Sequence, residues 1–471
     1  MADASRTRRQ QTAKSAVAPA PAGPSATPAP VFTLVAAVLG FFIISLDVTA
    51  ANVALPAIGH ELDGRMTDLQ WIVDGYTLPF AALLLSAGAC SDRIGAGRAY
   101  AMGLTLFVLA SAGCGLAPQL GWLIAARVAQ GVAAAIMMPS ALSLIRQAYT
   151  DAKARMRAIS VWTAGASVAI ATGPVVGGAL TSGASWRLIF FVNLPLGLLV
   201  LALLTRAHRA VPRRTPLDVP GQVIATAVLA SLTYAVIEGG RGGGASPAVL
   251  GAALVCCTGA AGFVAVERRA AQPLLPLGFF RSRAVSACVA AGFAVNVAIY
   301  GTIFVVSLFL QTVRGLSAID AGTVFLPMTT FLTAASLLAS PFTIRCGQRL
   351  PALVGQLSLV VGLLSLLWAS FHAGTAPLAL AMIPLGIGGG LAAPPLTAAL
   401  LNSVAEERSG MAAGVFNASR QVGGAISVAV FGSVLAGADS FPHGMRICLV
   451  IGAVVVAATC TASFRYLKER S

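Results

Sequence analysis

Charge is what this chain has least of. Only 10% of its 471 residues are Asp, Glu, Lys or Arg, where a soluble domain carries about 25%. Long polar stretches are also scarce, the first thirty residues being the longest, which argues against a membrane receptor built around a signalling domain. Eight cysteines fall mostly within apolar segments and without paired spacing, so no disulfide framework is expected. The four histidines, His60, His208, His372 and His443, lie in or near loops, and no metal site follows from them. There is no Walker A loop to drive transport with ATP from within the chain, and neither HExxH nor G-x-S-x-G. Membrane enzyme chemistry is disfavoured, and no cofactor is expected.

What is present is apolar sequence. Hydrophobic residues make up 57% of the chain and mean hydropathy is +0.85. Apolar segments long enough to span a bilayer recur along its length. A helix satisfies its own backbone in lipid, and the short alternating segments of a β-barrel are missing. The expectation is an all-α polytopic membrane protein with fourteen transmembrane helices.

The net charge of +15 could suggest nucleic acid, but its distribution does not. With fourteen spans, the N-terminal segment, even-numbered loops and C-terminus carry 24 Lys and Arg, and the odd-numbered loops only five: Arg65, Arg187, Arg241, Arg314 and Arg446. That asymmetry places both termini in the cytoplasm. Losing one span would invert every later loop, whereas losing a pair would not, so twelve spans is the alternative. Residues 1–30, rich in Ala, Pro, Ser and Thr, read as a disordered cytoplasmic tail. The first apolar run is too long for a signal-peptide core and is expected to stay uncleaved.

A faint internal repeat divides the chain. "GACSDRIGAGR" (88–98) and "SPFTIRCGQR" (340–349) align Arg93 with Arg345 and Gly95 with Gly347. Parallel repeats are common in secondary transporters, with substrate held between them. The expected layout is a six-helix bundle over 31–205, a linker with two extra helices over 206–283, a second bundle over 284–465, and a tail over 466–471.

Against this background, "ISLDVTAANVALP" (44–56) stands out, because Asp47 sits inside an apolar run. An acid near the membrane centre costs about 2.5–3.5 kcal/mol and persists where it faces protein or a water-filled cavity. Burial favours the neutral carboxyl and a nearby cation the ionised one, so alternation between them would bind and release a proton. The other reading is an acid permanently paired or capped. Arg127, in "RVAQG" (127–131), is the natural counter-charge, as a switch partner or as a structural hydrogen-bond hub. Asp74, in "WIVDGY" (71–76), lies nearer the outer end of its span, as a second coupling acid or a solvated one. Asn417 and Arg420 lie well inside a span, touching substrate or locking the halves. Asp92, Arg93 and Arg98 form a short charged loop suited to gating, or only to setting topology. In "GPVVGG" (173–178), Pro174 bends a helix flanked by glycines.

Together these stretches resemble the major facilitator superfamily, specifically its fourteen-span drug/proton antiporters of the EmrB/QacA type. "LDVTAANVALP" resembles the first-span signature. "GACSDRIGAGR" resembles the loop signature, with Gly88, Asp92, Arg93, Gly95 and Arg98 in place, although Gly97 stands where a basic residue is common. "RVAQG", "GPVVGG", "WRLIFFVNLP" (186–195) and "NASRQVGG" (417–424) also fit. "WIVDGY", "IEG" (237–239) and "LPMT" (326–329) resemble the methylenomycin-resistance exporters. The resemblance implies two rocking six-helix bundles and drug export driven by proton entry across a bacterial plasma membrane. It implies coupling at Asp47 with Arg127 as its relay partner, and a gating loop of Gly88, Asp92, Arg93, Gly95 and Arg98, while Asp74 is a coupling candidate by its placement alone. The antiporter motif would be Gly173, Pro174, Gly177 and Gly178; by their own placement, Asn52, Gln130, Asn417 and Arg420 are candidates for the substrate cavity. Expected partners are a small-molecule substrate, protons and lipid, without nucleic acid, in a monomer. The alternative is export or symport of a metabolite or biosynthetic product. Interior charges sum to zero, which favours neutral or weakly anionic substrates.

The charge asymmetry predicts that alkaline phosphatase fused after Arg241 is active and fused after Arg269 is inactive. The reverse pattern would invert the topology.

Overall fold

The computed structural model describes residues 30–205, 219–239, 246–270, 275, 277–370, 374–404 and 409–467. Among the described residues it is helical throughout. Within those helices the side chains of Leu85, Ala89, Asp92, Ala152, Lys153, Met156, Ser409 and Gly410 are outside the description, and most of the expected 1–30 tail and much of the 206–283 linker lie outside it too.

The helices run in the order α1 (Pro30–Glu61), α2 (Met66–Ile94), α3 (Ala96–Gly115), α4 (Leu120–Ala148), α5 (Ala152–Gly183), α6 (Arg187–Phe191), α7 (Asn193–Leu204), α8 (Val219–Gly239) and α9 (Pro247–Arg269). They continue with α10 (Arg283–Leu308), α11 (Ala318–Val324), α12 (Leu326–Cys346), α13 (Arg349–Ala369), α14 (Thr375–Ala381), α15 (Ile383–Asn402), α16 (Ser409–Gly437) and α17 (Phe441–Tyr466). Eleven described segments are long and apolar enough to cross a membrane, or twelve if α11 and α12, bent by 41°, form one span. Helices α2 and α3 are not among those segments.

Packing follows the repeat. In the first half α1 lies on α5, α4 on α2 and α3, and α7 closes over α1 and α3. In the second half α10 lies on α16 and α17, while α15 lies on α12 and α13. Helix α8 rests against α2 and α16, and α9 packs chiefly on α8. The halves meet where α2 touches α16, α1 touches α10, and α5 touches α11 and α12.

Proline chemistry builds part of that seam. Pro56, inside α1, has no N–H, so the carbonyl of Asn52 four residues earlier loses its helical donor. Ser307 Oγ, from the other half, donates to that carbonyl at 3.1 Å. Gln311 Nε2 donates to the next one, Val53 O, at 2.9 Å. Gln311 belongs to a π-helical turn, Phe309–Val313, at the end of α10, a distortion frequent at functional sites. Across the second contact Gln70 Nε2 donates to Ala429 O at 2.8 Å.

Glycines build the rest. A Cβ on Gly173 would strike the Thr49 side chain, and one on Gly177 would lie 2.7 Å from Ala50 O. Both therefore press α5 onto α1. Gly178 faces the other half, where a Cβ would sit 2.8 Å from Ile319 Cα, and Gly322 abuts the Pro174 carbonyl group. The 173–178 segment thus touches α1 on one side and α11 on the other. These contacts lie toward the end carrying Glu61 and Trp186. The opposite end of the halves carries Arg93 and Arg345.

Overpacking a tight site costs about 1–3 kcal/mol. Gly178→Val should therefore weaken closure at the Glu61 end, seen as a lower unfolding temperature and faster alkylation of a cysteine introduced at Ser182. Unchanged alkylation would show that this glycine does not hold the seam.

Candidate functional site

Asp47 lies mid-way along α1 and is buried. Its carboxylate forms an ion pair with Arg127 of α4, in which both side chains are essentially inaccessible. Asp47 Oδ1 also accepts from Gln130 Nε2 at 3.2 Å and from Asn193 Nδ2 at 2.9 Å. Both amides donate as well to Ser111 Oγ, at 3.1 Å from Gln130 and 2.9 Å from Asn193. Arg127 Nη1 donates to Gln130 Oε1 at 2.9 Å, and its Nε to Ile72 O at 3.1 Å. The network therefore draws on α1, α2, α3, α4 and α7.

The "RVAQG" stretch supplies this geometry in one turn of helix. Arg127 brings the charge and Gln130, three residues on, lies on the same face and bridges both ions. Gly131 lets α2 come close, since a Cβ there would lie 2.7 Å from Pro79 Cγ. That approach places the Ile72 carbonyl within reach of Arg127. At the Glu61 end a second cluster fixes the broken helix α6–α7 that delivers Asn193. Arg187 pairs with Glu61 and donates to Ala117 O at 3.2 Å, while Trp186 Nε1 donates to Glu61 Oε2 at 2.7 Å.

The ion pair is walled off from the space between the halves by one ring. The Arg127 guanidinium lies 4.4 Å from the centroid of Tyr76. Tyr76 in turn lines a central cavity with Asn52, Thr77, Phe80, Tyr300 and Gln421. In this conformation the cavity is about 10 Å³, room for roughly one water, so a larger ligand requires the halves to part.

Several expected residues fall elsewhere. Gln130, assigned to the cavity, is fully buried within the ion-pair network. Asn52 does line the cavity, with Oδ1 unpartnered among the described residues. Asp74 is not near water but fully buried. Its Oδ1 accepts from Thr77 Oγ1 at 3.1 Å, its Oδ2 has no partner among the described residues, and no hydrogen bond joins it to the Asp47 network. Arg420 of α16 is half-buried, with Nε donating to Asn296 Oδ1 at 3.2 Å. Asn417, one turn earlier, donates to Ala413 O at 3.1 Å.

The gating loop forms the α2–α3 corner. Gly95 has φ 93° and caps α2, a left-handed conformation that favours glycine. A Cβ on Gly88 would make ordinary contact with Pro139 at 3.7 Å. Arg93 and Arg98 are exposed, and the Asp92 side chain lies outside the described residues. Ser111, Asn193, Tyr76, Tyr300 and Asn296 were not singled out from the sequence. Asn193 had a signal, as a lone amide in "LIFFVNLPLGLL", whereas Ser111 looks like any small residue that lets helices pack.

The model of the Major Facilitator Superfamily matches residues 37–428. The chain belongs to this superfamily. Its relatives and its fold place it among membrane transporters. It is 37% identical over 411 residues to the methylenomycin A resistance protein of Streptomyces coelicolor, covering 87% of this chain and 86% of that one. It is 38% identical over 409 residues to the multidrug resistance protein Stp of Mycobacterium tuberculosis, covering 86% of this chain and 75% of that one. In fold it is similar to a D-xylose-proton symporter, with a TM-score of 0.66 and 15% identity over 93% of this chain and 98% of that one.

Removing one member of a buried pair strands the other and costs about 3–5 kcal/mol. Arg127→Leu should lose stability on that scale, and Asp47→Asn/Arg127→Leu should recover part of it in thermal unfolding. A double variant no more stable than Arg127→Leu would separate Asp47 from the stabilising unit.

Proposed function

We propose that the protein is a proton-coupled exporter of small, largely apolar toxic compounds, acting as a monomer in a bacterial plasma membrane. Its relatives carry the names of resistance and multidrug proteins, which supports export. The observation that carries the coupling is the buried Asp47–Arg127 pair lying one ring behind the central cavity.

A protonated Asp47 would no longer balance Arg127, leaving a buried cation without its partner. Relief would come from a rearrangement of α1 against α4 that re-solvates one of them. Because Arg127 stacks on Tyr76 and Tyr76 lines the cavity, a compound pressing on that ring would act on the same pair. Proton binding and compound binding would thus bias one two-state element, which is what coupling requires. Asp74, the other buried acid of the first half, has no cation beside it among the described residues and is the candidate for a second proton.

The remaining roles follow from placement. The 173–178 segment would seal the Glu61 end, and the 88–98 corner would act at the Arg93 end. We read α2 and α3 as spans, each of α6–α7, α11–α12 and α14–α15 as one span, and the total as fourteen. The basic Arg93 end is then cytoplasmic with both termini, and the seam contacts at the Glu61 end lie on the external side. The bundles would be 31–205 and 284–465, with α8 and α9 as the extra pair.

The test is proton movement in liposomes holding a pH-sensitive dye, challenged with compounds to which the protein confers resistance. Asp47→Asn should abolish compound-dependent proton movement, and Asp74→Asn should reduce it. Transport of such a compound without proton movement in the wild type would sink the coupling and leave a facilitator.

A further inference from the structure

We propose that the central cavity selects compounds bearing one negative charge or a weakly acidic group, anchored by Arg420. The inference rests on the exporter reading and names its substrate class.

The cavity lining carries no acid, and a cation, Arg420, stands next in sequence to the lining residue Gln421. Asp47 is committed to Arg127, and Asp74 is absent from the cavity lining although Val73, Tyr76 and Thr77 on either side of it are present. Arg420 is different. No carboxylate among the described residues pairs with it, and its one hydrogen bond there goes to the neutral Asn296. Its neighbour Gln421 and, one turn on, Gly424 line the cavity. Tyr300, also on the lining, lies within electrostatic range of it. Arg420 keeps some accessible surface, and only its Nε is engaged in a hydrogen bond among the described residues.

A guanidinium buried in protein needs an anionic or strongly accepting partner. Its planar donors fit a carboxylate in bidentate fashion. Tyr76 Oη, buried on the same lining without a partner among the described residues, supplies a further donor, and Phe80 and Val48 an apolar wall. A lipophilic cation would meet the reverse: a fixed positive charge with no acid on the lining. An exported monoanion also suits the energetics of the membrane. Each negative charge leaving and each proton entering moves in the direction that an inside-negative potential favours.

The test is a growth panel in a pump-deficient bacterial host, with toxic weak acids, neutral compounds and quaternary cations, for wild type, Arg420→Ala and Arg420→Lys. Membrane levels of each variant are measured in parallel. Wild type should protect against weak acids, and the ratio of acid to neutral protection should fall about tenfold in Arg420→Ala, the loss of a charge-assisted hydrogen bond. Arg420→Lys should restore part of that ratio. Protection confined to cations or neutral compounds would overturn the anion site and leave the exporter intact. So would an equal fall for every class in Arg420→Ala, which would mark a structural role. No protection by wild type against any class would overturn the exporter reading and the anion site with it.

Discussion

Everything in the first half is arranged around one ion pair that lipid would not tolerate. Asp47 and Arg127 are both inaccessible, and neither could remain charged there alone. Five helices contribute to keeping them together: α1 and α4 supply the charges, α2 a carbonyl, α3 a hydroxyl and α7 an amide. Such a network fixes helix positions as firmly as a hydrophobic core does, but it differs in one respect. A single proton changes its energy, whereas no proton changes the packing of leucines.

The sequence made the charged members legible and hid the neutral ones. Asp47 and Arg127 stood out because the cost of charge in a membrane makes each one conspicuous. Gln130 was noticed in its motif but assigned to the cavity, because spacing along a helix shows which face a residue shares and not what lies opposite. Ser111 and Asn193 come from α3 and α7, and only tertiary packing brings them together. Asp74 illustrates the same limit. Its position near a helix end suggested water, yet the neighbouring helices bury it. The all-helical fold was legible from composition and segment length, and the resemblance of six ordered motifs named the superfamily. Span number was less so, since breaks such as the 41° bend between α11 and α12 divide single apolar runs into two helices.

The glycines of 173–178 show why a motif can be read at the level of residue type without its geometry. Small residues announce close approach, but not which helix approaches. Here positions four apart share one neighbour and the adjacent one serves another: Gly173 and Gly177 face α1 within their own half, while Gly178 meets α11 across the seam. One short segment thereby touches both the interior of a half, at Thr49 and Ala50, and its boundary with the other, at Ala318 and Ile319.

Most of the seam hydrogen bonds end on backbone carbonyls, at Asn52, Val53, Ala429 and Ser167, whereas Ile319 N donates to the Ser182 hydroxyl. At Asn52 the division is sharpest, because its carbonyl receives Ser307 while its side chain faces the cavity. The two tasks are therefore separable in evolution. Residue 52 can be exchanged to suit a new compound without loss of the bond that closes the molecule, since every amino acid brings the same carbonyl. Pro56, which frees that acceptor, lies a turn away and off the cavity wall. Descendants of such a chain could diversify what they bind while inheriting an unchanged mechanism of closure.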